Sequence, residues 1–176
     1  MRPLKTSAAA AALALSAAVL SACSSTPEVR ECPPAGAVAG VERMTSFRPG
    51  GGEDLTEVQF TAQIDSVDSV CEYDDEGVEV AMNVRLIAER GPADTVRKAD
   101  LQYFVAIENG PGNFTAKEIY DVSLPFAGNR RRVGIVEEID ITIPTPANRS
   151  FANIRVLVGL QITTEQVEYN QRVRGR

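Results

Sequence analysis

The side chains with the most chemistry available to them are three cysteines, Cys23, Cys32 and Cys71. A thiol can be acylated, bridged to a second thiol or bound to a metal. Cys32 and Cys71 would supply half a zinc shell at best, and the chain has no histidine to complete it. The absence of histidine also removes the commonest general base and the Ser-His-Asp and Cys-His nucleophile arrangements. No serine lies in a Gly-x-Ser-x-Gly elbow, and beyond residue 23 no lysine follows a serine at Ser-x-x-Lys spacing. Glu137 and Glu138 are adjacent, so in a strand they point to opposite faces and cannot cooperate as an acid/base pair. These residues predict a protein that is not an enzyme and that uses no cofactor and no metal.

Two charged clusters remain. Asp65, Asp68, Asp74, Asp75 and Glu76 could present carboxylates to calcium. They lack EF-hand spacing, and Asp beside Gly is ordinary turn chemistry. Arg130-Arg131-Arg132 could meet lipid phosphates or an acidic partner, but a solvated loop is the simpler expectation in a chain of net charge −6. The same acidic balance argues against nucleic acid, which demands a basic face. Asn113 and Asn148 begin Asn-x-Ser/Thr patterns that read as turns.

The N-terminus supplies an address. Arg2 and Lys5 precede an uncharged run from Ala8 to Leu20, about 13 residues and so the length of a signal-peptide core. A spanning helix needs about 20 apolar residues. The run ends in Leu20-Ser21-Ala22-Cys23, which resembles the lipobox of bacterial lipoproteins. The resemblance implies cleavage after Ala22, a diacylglyceryl group on the Cys23 thiol and an acyl chain on its amine. More than one acyl chain gives stable anchoring. Ser24 in place of aspartate after the lipidated residue implies the outer membrane, facing the periplasm. The rest of the chain resembles other bacterial envelope lipoproteins of this length, which implies no particular activity.

With Cys23 assigned to lipid, Cys32 and Cys71 are left as an even pair in an oxidising compartment. A bridge between them is the expectation, with two buried reduced thiols as the alternative. Residues 1–22 then form the signal peptide, 23–35 the lipidated cysteine and linker, and 36–176 one domain. The nine steps from Cys23 to Cys32 span at most about 30 Å, which keeps the domain against the membrane.

The elements that must carry these residues are strands. Val58, Phe60, Ala62 and Ile64 alternate with polar residues, and the run continues to Tyr73 after a bulge or bend, bringing Cys71 into a sheet. Asp74–Gly77 is a turn. Alternation from Val78 to Ala88 is the clearest strand, ended by Gly91-Pro92. Leu101–Ile107 leads into an Asn-Gly-Pro-Gly-Asn hairpin at 109–113. Further strands are expected over Phe114–Phe126, with a break near Asp121, over Val133–Ile143, irregular around Val136–Glu138, and over Ile154–Ile162. Ala37–Phe47 supplies a weaker first strand, and Thr163 or Thr164 caps a short helix reaching Tyr169 or Arg172. About seven strands without βαβ rhythm predict an all-β, antiparallel sandwich of immunoglobulin or fibronectin-type-III kind, with an up-and-down barrel as the alternative. The function expected is a membrane-anchored interaction or structural module with an envelope protein as partner. The alternative is a small-ligand or calcium-binding lipoprotein.

Overall fold

A computed structural model describes residues 31–145 and 150–174. The signal segment, Cys23 and Asn148 lie outside the described residues. The folded unit begins at Cys32, so Cys32–Ala35, assigned above to the linker, belong to the domain: Pro33 is fully buried and Ala35 already pairs with Val156.

Eight strands and one helix follow in the order β1 (Ala35–Ala37), β2 (Arg43–Phe47), β3 (Val58–Tyr73), β4 (Gly77–Arg90), β5 (Lys98–Asn109), β6 (Phe114–Pro125), β7 (Arg132–Pro144), β8 (Ile154–Leu160) and α1 (Thr164–Arg174). They form two four-stranded sheets, β1-β8-β5-β6 and β2-β3-β4-β7. Every pairing is antiparallel except β1 with β8. The architecture is the expected β-sandwich, with a strand order of its own.

Period-2 patterning decides which face is buried. Val78, Val80, Val84, Leu86 and Ala88 of β4 point inward with almost no exposure, and Leu101, Tyr103 and Val105 of β5 meet them from the other sheet. The expected bulge in β3 sits at Asp65: Ile64 lies opposite Leu86 while Ser66 lies opposite Arg85. One extra residue shifts the inward set from Ile64 to Val67, and it carries Cys71 to the inner face opposite Val80. The Asp74 carboxylate accepts the Glu76 and Gly77 N–H groups at 2.8 and 2.7 Å and closes the turn. Gly77 is required there, since a Cβ would lie 2.2 Å from the Ile143 carbonyl.

Three details differ from the expectations. The weak first strand is two strands, β1 and β2, in different sheets, because Gly40, at φ +93°, turns the chain between them. β6 and β7 run unbroken through Asp121 and through Val136–Glu138, since each pairs continuously with one neighbour. The helix extends to Arg174, started by reciprocal bonds between Thr163 and Gln166.

Cys32 and Cys71 form a disulfide that ties the start of the domain to the far end of β3. The bridge closes a loop of about 40 residues, for which chain entropy alone gives about 4 kcal/mol. Reduction, or Cys71→Ser, is therefore expected to lower the urea midpoint strongly and to raise the slope, because the unfolded chain without the bridge is less compact. An unchanged midpoint in reductant would refute that role.

Candidate functional site

A sandwich of two open sheets has four edges, and each edge strand turns alternate backbone N–H and C=O groups away from its only neighbour. Here two edges are managed. β1 is only three residues long. β2 is roofed by α1, whose Asn170 Nδ2 donates to the carbonyls of Gly40 and Arg43 at 3.0 and 2.7 Å. Gln166 Nε2 reaches the Thr45 carbonyl at 3.3 Å. The Ile64 N–H donates to the Glu42 carbonyl, so Arg43 and Thr45 are the residues whose main chain faces outward. The helix side chains cap the outward row.

Among the described residues nothing covers the other two edges. β6 and β7, of 12 and 13 residues, each hydrogen-bond to one strand only and lie beside each other on one side of the sandwich. They expose large apolar side chains: Phe114 is 59% exposed, Ile119 51% and Val136 51%. The sheets splay between them. Ala116 and Glu118 share the inner-face register of the buried Val122 and Leu124, yet they are exposed. A cleft of about 220 Å³ results, with Val105, Ile107 and Ile141 on its walls and Lys117 and Glu118 at its rim.

Tyr120 lines this opening, and Tyr103 stacks against it from within the core. Tyr103 is fully buried and stacks on Tyr120 with ring centroids 5.1 Å apart. Tyr120 donates to Glu118 Oε2 at 2.6 Å. Burial, and then the bond to the Glu118 carboxylate, push its pKa up to about 12. Tyr103 is held still more firmly neutral, by burial first and the Glu137 carboxylate second. Its hydroxyl has no hydrogen-bond partner among the described residues.

The start of β6 is set by a latch. Glu108 is buried, its Oε1 accepts the Gly112 N–H at 2.7 Å, and its Oε2 accepts Arg155 Nε at 2.8 Å and Nη2 as well. These bonds clamp the 109–113 turn against β8.

The residues singled out by sequence are not gathered at this site. Asp65 faces Arg85 at 3.8 Å, Asp68 accepts Ser66 Oγ at 3.0 Å, and Asp74 is spent on its turn. Among the described residues no group of three or more acidic or thiol side chains is arranged to hold a metal. Arg132 pairs with Glu89, and Arg131 reaches the Arg90 carbonyl at 3.5 Å, so both fold onto the end of β4. Asn113 lies in the β5–β6 turn. Glu137 and Glu138 lie opposite buried Val84 and exposed Asn83, on opposite faces. A second groove, about 420 Å³, runs between α1 and the outer face of β2 and β3; Tyr169, Val173, Gln63 and Ile87 line it, with Glu42 and Arg174 paired at its mouth. No family model, no curated protein and no solved structure matches this chain.

Two measurements follow from this geometry. The Gly112 N–H, and then Arg155, hold the Glu108 carboxyl below its ordinary range in the folded state. A depressed folded pKa contributes stability that is present above the unfolded value, about 4.3, and is lost as pH falls through the folded value. Glu108→Gln should therefore lower the urea midpoint at pH 7 and flatten its decline below about pH 4.3. An acid limb identical to wild type would contradict the latch. At the cleft, Tyr103→Phe removes a buried hydroxyl that lacks a partner and should leave the melting temperature unchanged or raise it. Destabilisation beyond about 1 kcal/mol would show that the hydroxyl is satisfied.

Proposed function

We propose that this chain is a membrane-anchored lipoprotein of the bacterial envelope, held at the outer membrane facing the periplasm, and that it works by protein–protein contact and not by catalysis. The observation that carries the reading is the unequal treatment of the four edges. Exposed edges are a hazard that proteins ordinarily blunt. Two are blunted here, while two long neighbouring ones are left open with apolar side chains at their surface. Strand addition to such an edge takes its affinity from main-chain hydrogen bonds and its selectivity from alternate side chains.

Other features agree. The Leu20–Cys23 motif supplies the anchor, and the Cys32–Cys71 bridge suits an oxidising compartment. A tether no longer than about 30 Å confines the domain near one leaflet. Confinement raises the effective concentration of any partner on the same surface, so weak edge contacts suffice. The alternative of a small-ligand-binding lipoprotein draws on the 420 Å³ groove beneath α1. Its charged mouth makes it the weaker reading.

The anchor and its purpose are tested together. Mass spectrometry of the mature N-terminus should find acylated Cys23. A Cys23→Ala form behind an ordinary secretory signal should fold normally yet complement a deletion strain poorly at native expression. Full complementation by that soluble form would overturn the tethered-interaction reading in favour of a diffusible one.

A further inference from the structure

The β6 edge specifies its own partner. The Phe126 N–H donates to the Arg97 carbonyl at 2.9 Å, and these two residues continue the register that sets Lys98 opposite Pro125 and Ala106 opposite Lys117. In an antiparallel ladder, residues directly opposite exchange main-chain bonds at every second position. From Ala116 onward the even-numbered residues of β6 therefore face β5, and the N–H and C=O groups of 117, 119, 121 and 123 face outward; the register slips by one residue at Thr115, where the regular row ends.

We propose that this row pairs with the same row of a second copy of the chain, antiparallel about a twofold axis at Ile119. Such an interface is isologous, so each contact occurs twice. Ile119 meets the partner's Ile119 on the outer face. Lys117 then lies opposite the partner's Asp121, and Asp121 opposite the partner's Lys117. On the inner face Glu118 meets the partner's Tyr120, repeating across the axis the contact made within each strand. The outward backbone groups of 117, 119 and 121 match in the same register and give about six main-chain hydrogen bonds.

Neighbouring registers fail on charge or on donors. An axis at Lys117 stacks lysine on lysine, one at Glu118 stacks glutamate on glutamate, one at Tyr120 gives up the Lys117–Asp121 pairs and sets Asp121 opposite Ile119, and one at Asp121 stacks aspartate on aspartate and brings Pro125, which has no N–H, opposite Lys117. Opposite charges directly across a ladder stabilise it and like charges destabilise it. Lys117 and Asp121 are exposed, and among the described residues their partners are neutral groups, Gln161 and the Phe104 ring for Lys117 and Gln102 for Asp121. β7 is a poor competitor. Its edge carries Glu137, Glu138 and Asp140 within four residues, and Arg132 is taken by Glu89. Pairing at β6 joins the two β1-β8-β5-β6 sheets into one continuous sheet. The proposal rests on the edge being the working surface, as the interaction reading holds, and not on the lipid anchor.

The test uses the full chain in producing cells. Opposed residues in a hydrogen-bonded antiparallel pair have Cα atoms about 5.5 Å apart, within disulfide range. Ile119→Cys should give a reductant-sensitive dimer under mild oxidation, and Val136→Cys on β7 should not. In the Ile119→Cys background, Lys117→Asp or Asp121→Lys alone should cut dimer yield about tenfold, because each sets like charges opposite one another twice. The double exchange should restore it, with melting temperatures showing that every variant folds. A monomeric Ile119→Cys, equal crosslinking at Val136→Cys, or no recovery in the double exchange would overturn the proposal. A photo-reactive residue at 119 separates the two failures. An adduct with a different protein overturns self-pairing while the interaction reading stands, and no adduct at either 119 or 136 contradicts both.

Discussion

Every main-chain N–H and C=O must find a partner, and in a sandwich of two open sheets the demand falls on the four outer strands. This domain meets it in two ways. On one side the chain supplies its own cover: a three-residue β1, and an α1 whose Asn170 and Gln166 reach the outward carbonyls of β2. On the other side β6 and β7 run long and bare. The helix is thereby explained as a lid for one edge. Its burial of Asn170, a polar residue, would otherwise be a liability.

The same division appears inside. Where β3, β4, β5 and β8 face each other, the layer is filled mainly by aliphatic side chains, valines foremost, with little exposure. Toward β6 and β7 the layer opens, and it holds tyrosines and carboxylates in place of valines. Tyr103 is the boundary, its ring buried on Tyr120 and its hydroxyl without a hydrogen-bond partner among the described residues. The edges are therefore flanked by the least tightly filled part of the core. That is where a partner strand could be taken up with the smallest disturbance of the rest.

Much of the fold was legible in the sequence. Alternation at Val78–Ala88 identifies β4, the slip in pattern near Asp65 marks the bulge, and Asp74–Gly77 reads as the turn it is. The bridge between Cys32 and Cys71 follows from thiol counting once the leader is read as resembling a lipoprotein signal. The interaction site was not legible in this way. Period 2 reports which side chains are buried, not which strands end a sheet, so the irregular patterns of β6 and β7 do not mark them as edges. The symmetric placement of Lys117 and Asp121 about Ile119 is visible in the sequence, but it acquires meaning only when the register with β5 shows which backbone groups point outward. Asp65, Asp68 and Asp74 are near in sequence, yet the bulge, the strand and the turn each give one of them a local partner.

The central claim, that β6 carries an unpaired row awaiting a strand, is tested most directly by residue-resolved amide hydrogen exchange. In dilute protein the amides of Lys117, Ile119 and Asp121 should exchange freely while those of Glu118, Tyr120 and Val122 are protected, and raising the protein concentration should bring protection to the first three. Equal protection of all six at high dilution, or free exchange of Lys117, Ile119 and Asp121 at every concentration, would contradict the account.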